Sequence, residues 1–166
     1  MRVTPRRLAV TGMTAAVYAS LTVALPALSY GGVQCRFAEA LNLLAFINPV
    51  FAPGLVLGCF VANLFSPIGA PDWVFGTLAT AIAALGIIKW SKNLFTASLW
   101  PVFVNGAIIG AEILFFFSEP PPSVIKYLGF VGTVMLGEAI AVSLVGTVLF
   151  TRLMKNERLV EYLKNI

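Results

Sequence analysis

Glu112 and Glu138 lie in apolar stretches with no basic residue near them in sequence and no helix end that they would cap. A carboxylate in such a place can accept two N–H donors side by side, act in a carboxylate pair, or stay protonated and hydrogen-bonded between helices. An ionisable group costs at least about 2.5 kcal/mol inside a membrane segment, so it generally faces a cavity or a partner. Further polar groups in or beside the apolar stretches include Arg36, Glu39, Asn63, Asp72 and Asn105. Asn105 precedes Glu112 by two turns and shares its helix face. Arg36 and Glu39, three residues apart, fit a structural ion pair as well as ligand contacts, and Asp72 before Trp73 fits a helix N-cap as well as a site residue. Histidine is absent, and Cys35 and Cys59 lack a metal-ligand spacing. The usual zinc, haem and Ser-His-Asp constellations are therefore excluded, and no metal or cofactor is expected. No Gly-x-x-x-x-Gly-Lys-Ser/Thr stretch is available to cradle a nucleotide phosphate, so any ATP-driven step belongs to another chain.

The elements that must position these groups follow from composition. The chain has 166 residues, 59% hydrophobic and 11% charged, with mean hydropathy +0.93. A soluble domain carries about 25% charged residues, so the reading is an all-α membrane protein. With roughly 20 apolar residues per crossing, the length accommodates about six spans. Residues 1–166 read as one integral membrane domain, with helices expected at about 6–28, 36–48, 51–65, 72–90, 94–117 and 124–153, where Pro26, Asn48-Pro49, Pro53-Gly54, Ser66 to Pro71 and Glu119 to Pro122 break the pattern. The tail from Lys155 to Ile166 mixes charge with Leu159, Val160 and Leu163 and reads as an amphipathic surface segment.

Arg2, Arg6, Arg7, Lys89, Lys92, Arg152, Lys155, Arg158 and Lys164 fall on one side of this six-helix plan, which places both termini in the cytoplasm. A re-entrant hairpin formed by the short second and third helices would leave that bias unchanged. Apart from Asn105 and Glu138 near the midplane, the polar set then belongs to the outer half of the bilayer. A cavity open to the outside fits better than a polar path across the whole membrane. Its cover is the loop Ser29 to Arg36, in which Gly31-Gly32 give the backbone freedom and Tyr30 and Gln34 can reach a ligand. Trp73 and Tyr127 lie at the same level, as ligand contacts or interfacial anchors. In the first helix, Gly12, Ala16 and Ser20 recur every four residues and are flanked by Ala9, Ala15 and Ala19. This flat side permits close approach of another helix, within the bundle or from a partner membrane protein.

Three segments carry a family resemblance: Gln34-Cys35-Arg36-Phe37-Ala38-Glu39-Ala40-Leu41; Pro53-Gly54-Leu55-Val56-Leu57-Gly58-Cys59-Phe60-Val61-Ala62-Asn63-Leu64-Phe65; and Asp72-Trp73-Val74-Phe75-Gly76-Thr77-Leu78-Ala79-Thr80. Together with the alanine-rich first helix, Asn105 and Gly137-Glu138, they resemble the QueT family over nearly the whole chain. QueT proteins are substrate-binding S components of energy-coupling factor (ECF) vitamin transporters in prokaryotes. The resemblance implies a six-helix S component in the plasma membrane, with no enzymatic activity of its own. It would capture a queuosine precursor from outside, a 7-deazaguanine base such as preQ1, preQ0 or queuine, and would join a transmembrane coupling protein and two cytoplasmic ATPases. Nucleic acid is not an expected partner. The resemblance also marks Gly12, Ala15, Ala16, Ala19 and Ser20 as the docking face, although Gly12 and Thr14 interrupt a purely alanine stripe. The chemistry suits such a ligand. A guanine-like edge presents a ring N–H beside an amino group, which Glu138 or Glu112 can accept together. Asn63 and Asn105 offer a donor and an acceptor, Trp73 or Tyr30 can stack on the base, and Glu39 and Asp72 suit a cationic substituent. Other vitamin-like ligands, and an intramembrane enzyme built on Glu112 and Glu138, are the competing readings.

Overall fold

The structure is a computed structural model that describes residues 4–30 and 35–166. All regular structure among these residues is helical: α1 (Pro5–Ala24), α2 (Phe37–Ile47), α3 (Pro49–Asn63), α4 (Ala70–Trp90), α5 (Leu94–Phe116), α6 (Val124–Leu153) and α7 (Glu157–Lys164). Helices α1, α4, α5 and α6 are long and apolar enough to cross a membrane, whereas α2 and α3 are apolar but shorter. The interior holds Arg36, Glu39, Asn63, Asp72, Asn105, Glu112 and Glu138, while Leu8, Met13, Val74, Phe95, Phe115, Ile125 and Leu144 are exposed. Water would favour the opposite arrangement. Charge inside and apolar side chains outside is the polarity of a protein surrounded by hydrocarbon.

Local chemistry sets the ends. Thr4 caps α1 by accepting the Arg7 N–H, and Pro5 occupies the first helical position, where its missing N–H costs nothing. Helix α1 stops at Ala24, earlier than the expected residue 28, because Pro26 forces Leu25 out of the helical region (φ −124°, ψ 58°); a single turn, Pro26–Ser29, follows. Gly69, at φ +78°, supplies the left-handed conformation from which α4 starts. The expected N-cap at Asp72 is therefore displaced: the carboxylate sits in the first turn instead, close to the positive end of the helix dipole.

Helices α1, α3, α4, α5 and α6 pack in that order, each against the next, and α2 touches all five. Close approach of α1 to α3 requires Gly54 and Gly58, since an added Cβ would lie 2.7 Å from the Thr11 carbonyl oxygen at Gly54 and 2.7 Å from the Tyr18 Cβ at Gly58. Residues Phe37–Leu43 of α2 form a 3₁₀ helix rather than the α-helix expected over 36–48. Side chains three apart eclipse in a 3₁₀ helix, which stacks Asn42 directly over Glu39. The last long helix, expected over 124–153, does span that range, but it widens to a π-helix over Ala139–Gly146, beginning at the residue after Glu138.

Both chain ends meet at one end of the bundle. The Arg6 guanidinium lies 5.7 Å from the Tyr162 ring centre, and Asn48, in the turn between α2 and α3, donates to the Leu163 and Lys164 carbonyl oxygens at 3.0 and 3.2 Å. The amide thereby satisfies carbonyls that the end of α7 leaves without an intrahelical partner. Helix α7 itself is the expected amphipathic tail, capped by Asn156.

Candidate functional site

The buried polar groups form one cluster around α2. Arg36, immediately before that helix, donates to Asn63 Oδ1 at 3.1 Å, and its guanidinium lies 3.7 Å from Asp72 Oδ2. The carboxylate at ion-pair distance from Arg36 is thus Asp72 on α4, rather than its sequence neighbour Glu39. Asn63 completes the link by donating to the Asp72 carbonyl oxygen at 2.9 Å. Gly76 makes room for this junction: a Cβ there would meet Asn63 Nδ2 and Asp72 Oδ1, both at 2.5 Å. Tyr30 covers the group from outside the helices. Its ring centre is 5.5 Å from the Arg36 guanidinium, and its hydroxyl donates to the Ala62 carbonyl at 2.7 Å. Burial raises the Tyr30 phenol above its ordinary range, with Arg36 opposing, so the group stays protonated and donating at neutral pH.

Deeper in the bundle, Glu39 collects donors. Tyr18 on α1 donates to Oε1, Asn42 donates to Oε2, and Thr80 on α4 lies 3.5 Å from Oε1. Thr80 is closer to Cys59 Sγ, at 3.1 Å, and the Cys59 thiol faces the Gly76 carbonyl at 3.6 Å. On the far side, Asn105 of α5 donates to Glu138 Oε1 of α6 at 2.7 Å.

The described interior therefore contains four carboxyl groups and one cation, Arg36. Asp72 has the ion pair, and Glu39 is bonded at both oxygens. Glu138 Oε2, both oxygens of Asp72 and both oxygens of Glu112 have no hydrogen-bond partner, and Glu112, only 2% exposed, has no ion pair either. Leaving a buried polar group unsatisfied costs about 1–3 kcal/mol, and more when it is charged. Acceptor oxygens left open in one interior can take hydrogen bonds from a donor-rich molecule. Glu112 also lines a groove of about 720 Å³ between α4 and α5, together with Phe75, Leu78, Ile108, Phe115 and Phe116.

The structure thus brings together Tyr30, Arg36, Glu39, Asn63 and Asp72, with the Asn105–Glu138 pair and Glu112 flanking them. It leaves Trp73 off the buried Asp72–Gly76–Thr80 face, 38% exposed. Gln34 and the Gly31-Gly32 hinge lie outside the described residues. Asn63 has both ends of its amide engaged within the protein, so it orients Arg36 and Asp72 rather than presenting a free edge. Tyr127 donates to the Ala107 carbonyl at 3.2 Å and ties α6 to α5. On α1, Gly12, Ala16 and Ser20 are exposed, whereas Ala15 and Ala19 are buried on the side packed toward α3. Tyr18, Asn42, Cys59 and Thr80 joined the cluster without being anticipated. Their signal is spacing: Asn42 follows Glu39 by three, Cys59 precedes Asn63 by four, and Thr80 continues the Asp72–Gly76 row.

Comparison with known proteins places the chain in a family. A curated relative, the "Queuosine precursor transporter QueT" of Lactococcus lactis subsp. cremoris (strain MG1363), is 33% identical over 140 residues, covering 76% of this chain and 79% of the relative. No solved structure matches the chain. The family model described as QueT transporter matches residues 8–155, a range that holds the whole polar cluster and runs from the first turn of α1 to the end of α6, and the chain belongs to the QueT transporter family.

Proposed function

We propose that this chain is the substrate-capturing S component of an ECF-type importer and binds a queuosine precursor, a 7-deazaguanine base, from outside the cell. The observation that carries this reading is the set of unclaimed carboxylate oxygens on Glu112 and Glu138, both buried in a chain of the QueT transporter family. Glu138 Oε2 is free and Oε1 retains a second lone pair beyond the bond from Asn105, so the carboxylate can accept a ring N–H and an adjacent amino group together. Asn105 fixes the carboxylate's orientation. Tyr30, beside Arg36, is the aromatic residue that suits stacking on the base. Glu39, Asn63 and Asp72 hold the frame around Arg36.

In this reading six segments cross the membrane and both termini are cytoplasmic. The basic residues support it, as does the meeting of Arg6, Asn48 and α7 at one end of the bundle. Helices α2 and α3 then turn back at the inner face. The exposed row Gly12, Ala16 and Ser20 docks on the transmembrane coupling protein, with Ala15 and Ala19 keeping α1 close to α3. ATP hydrolysis in two partner subunits drives uptake, and the ligand passes through chemically unchanged.

Calorimetric titration of the purified chain with preQ1, preQ0, queuine, riboflavin and biotin tests the proposal. Saturable, stoichiometric binding of at least one 7-deazaguanine, with the ligand recovered intact and no binding of riboflavin or biotin, is the expected result. Failure of all three 7-deazaguanines to bind, or recovery of an altered ligand, overturns it.

A further inference from the structure

The four buried acids are not equivalent. Asp72 faces Arg36 at 3.7 Å. Glu39 receives Tyr18 and Asn42, and Glu138 receives Asn105. Among these four, Glu112 is the one with neither a hydrogen bond nor an ion pair, and it is 2% exposed. Its surroundings also differ. The other three meet amides, hydroxyls or a guanidinium, whereas Glu112 lines an apolar groove in which the Phe75 and Phe116 ring centres are 5.9 Å apart. The groove, at about 720 Å³, is within the size range of small-molecule sites.

Arg36 is directed elsewhere: one terminal nitrogen donates to Asn63 at 3.1 Å, the other faces Asp72 at 3.7 Å, and no ion pair joins it to Glu112. A charge on Glu112 therefore calls for a cation from outside the chain. An ammonium brings three donors and no acceptor, and phenyl faces attract it as well. A nitrile or another neutral acceptor in the same place would face a carboxylate with no proton to share.

Building on the capture role proposed above, we infer that Glu112 reads the charge of the ligand. The guanine-like edge is held at Glu138 while an exocyclic ammonium on the five-membered ring enters the α4–α5 groove and bonds to Glu112. The site then prefers an aminomethyl 7-deazaguanine to a neutral one bearing the same ring system.

Binding of preQ1, which carries the aminomethyl cation, and preQ0, which carries a nitrile, to the wild-type chain and to Glu112→Gln is the test. The wild type is expected to bind preQ1 at least about tenfold more tightly than preQ0, in keeping with the strength of a charge-assisted hydrogen bond. Glu112→Gln, nearly identical in shape, is expected to remove most of that preference by weakening preQ1 about tenfold or more while leaving preQ0 within about threefold. Equal wild-type affinities, or a substitution that weakens both ligands alike, would overturn the inference and leave the capture role standing. Binding of neither ligand to the wild type, with queuine also failing, would overturn the capture role itself. Should Glu112→Gln not fold, the wild-type ratio decides alone.

Discussion

Tyr18→Phe removes one hydroxyl and nothing else. The Tyr18 ring is fully buried and its Cβ side faces Gly58, a contact that phenylalanine reproduces. The hydroxyl donates to Glu39 Oε1, whose remaining donor is Thr80 at 3.5 Å, and Thr80 already lies nearer to Cys59 at 3.1 Å. The substitution therefore strips one oxygen of a carboxylate that is 1% exposed. A hydrogen bond to a charged group contributes about 1.5–3 kcal/mol. For a chain of 150–250 residues each kcal/mol moves Tm by about 2–4 °C, so the expected fall is about 3–12 °C. Cys35 and Cys59 are both buried, so a thiol-reactive dye in detergent solution reports unfolding directly. Combining the change with Glu39→Gln gives the sharper reading, because partners in contact couple by about 0.5–3 kcal/mol. A Tm within about 1 °C of wild type, or strict additivity of the two changes, would refute the claim that Tyr18 anchors Glu39.

Glu138→Gln keeps the acceptor that Asn105 uses and replaces the unclaimed oxygen with an N–H donor; 7-deazaguanine affinity should fall about tenfold or more by calorimetry while thermal stability is retained. Arg36→Gln leaves Asp72, 0% exposed, without its cation, and should destabilise the fold by about 3–5 kcal/mol, seen as a lowered Tm in the same dye assay. Ala16→Trp adds bulk to an exposed face of α1; ligand affinity should be unchanged while co-purification with the coupling protein is lost, and survival of the complex would place the docking face elsewhere.

Much of this was legible in the residues because hydrocarbon imposes few solutions. A long run without charge must be a helix, since no other lipid-exposed backbone satisfies its own hydrogen bonds; α4, α5 and α6 accordingly fall close to their expected limits. Buried ionisable residues must face one another or a ligand, which is why Arg36, Glu39, Asp72 and Glu138 converge. What the pattern could not convey is helix type. Ala139–Gly146 is as apolar as its neighbours, and neither this π segment nor the 3₁₀ segment Phe37–Leu43 leaves a signature in composition. Pairing among the charges was illegible for the same reason: Arg36 and Glu39 are adjacent on any helix, and only the position of α4 decides that Asp72 takes the guanidinium.

The 3₁₀ segment also resolves a difficulty raised by length. An α-helix rises about 1.5 Å per residue and a 3₁₀ helix about 2.0 Å, so α2 gains reach over its first seven residues at the expense of poorer backbone hydrogen bonds. Exposed to lipid, that backbone would be costly. Helix α2 avoids the cost by running through the middle of the bundle, where α1, α3, α4, α5 and α6 enclose it and Ala38, Glu39, Ala40, Asn42 and Leu43 are all buried. The small side chains Ala38 and Ala40 let neighbours close in, and Gly146 of the π segment meets Ala40, where a Cβ would come within 3.1 Å. The same enclosure carries Glu39 to a depth that a peripheral helix could not reach. There its carboxylate joins α1 through Tyr18 and α4 through Thr80, so the helix too short to span on its own is the one around which the polar interior is assembled.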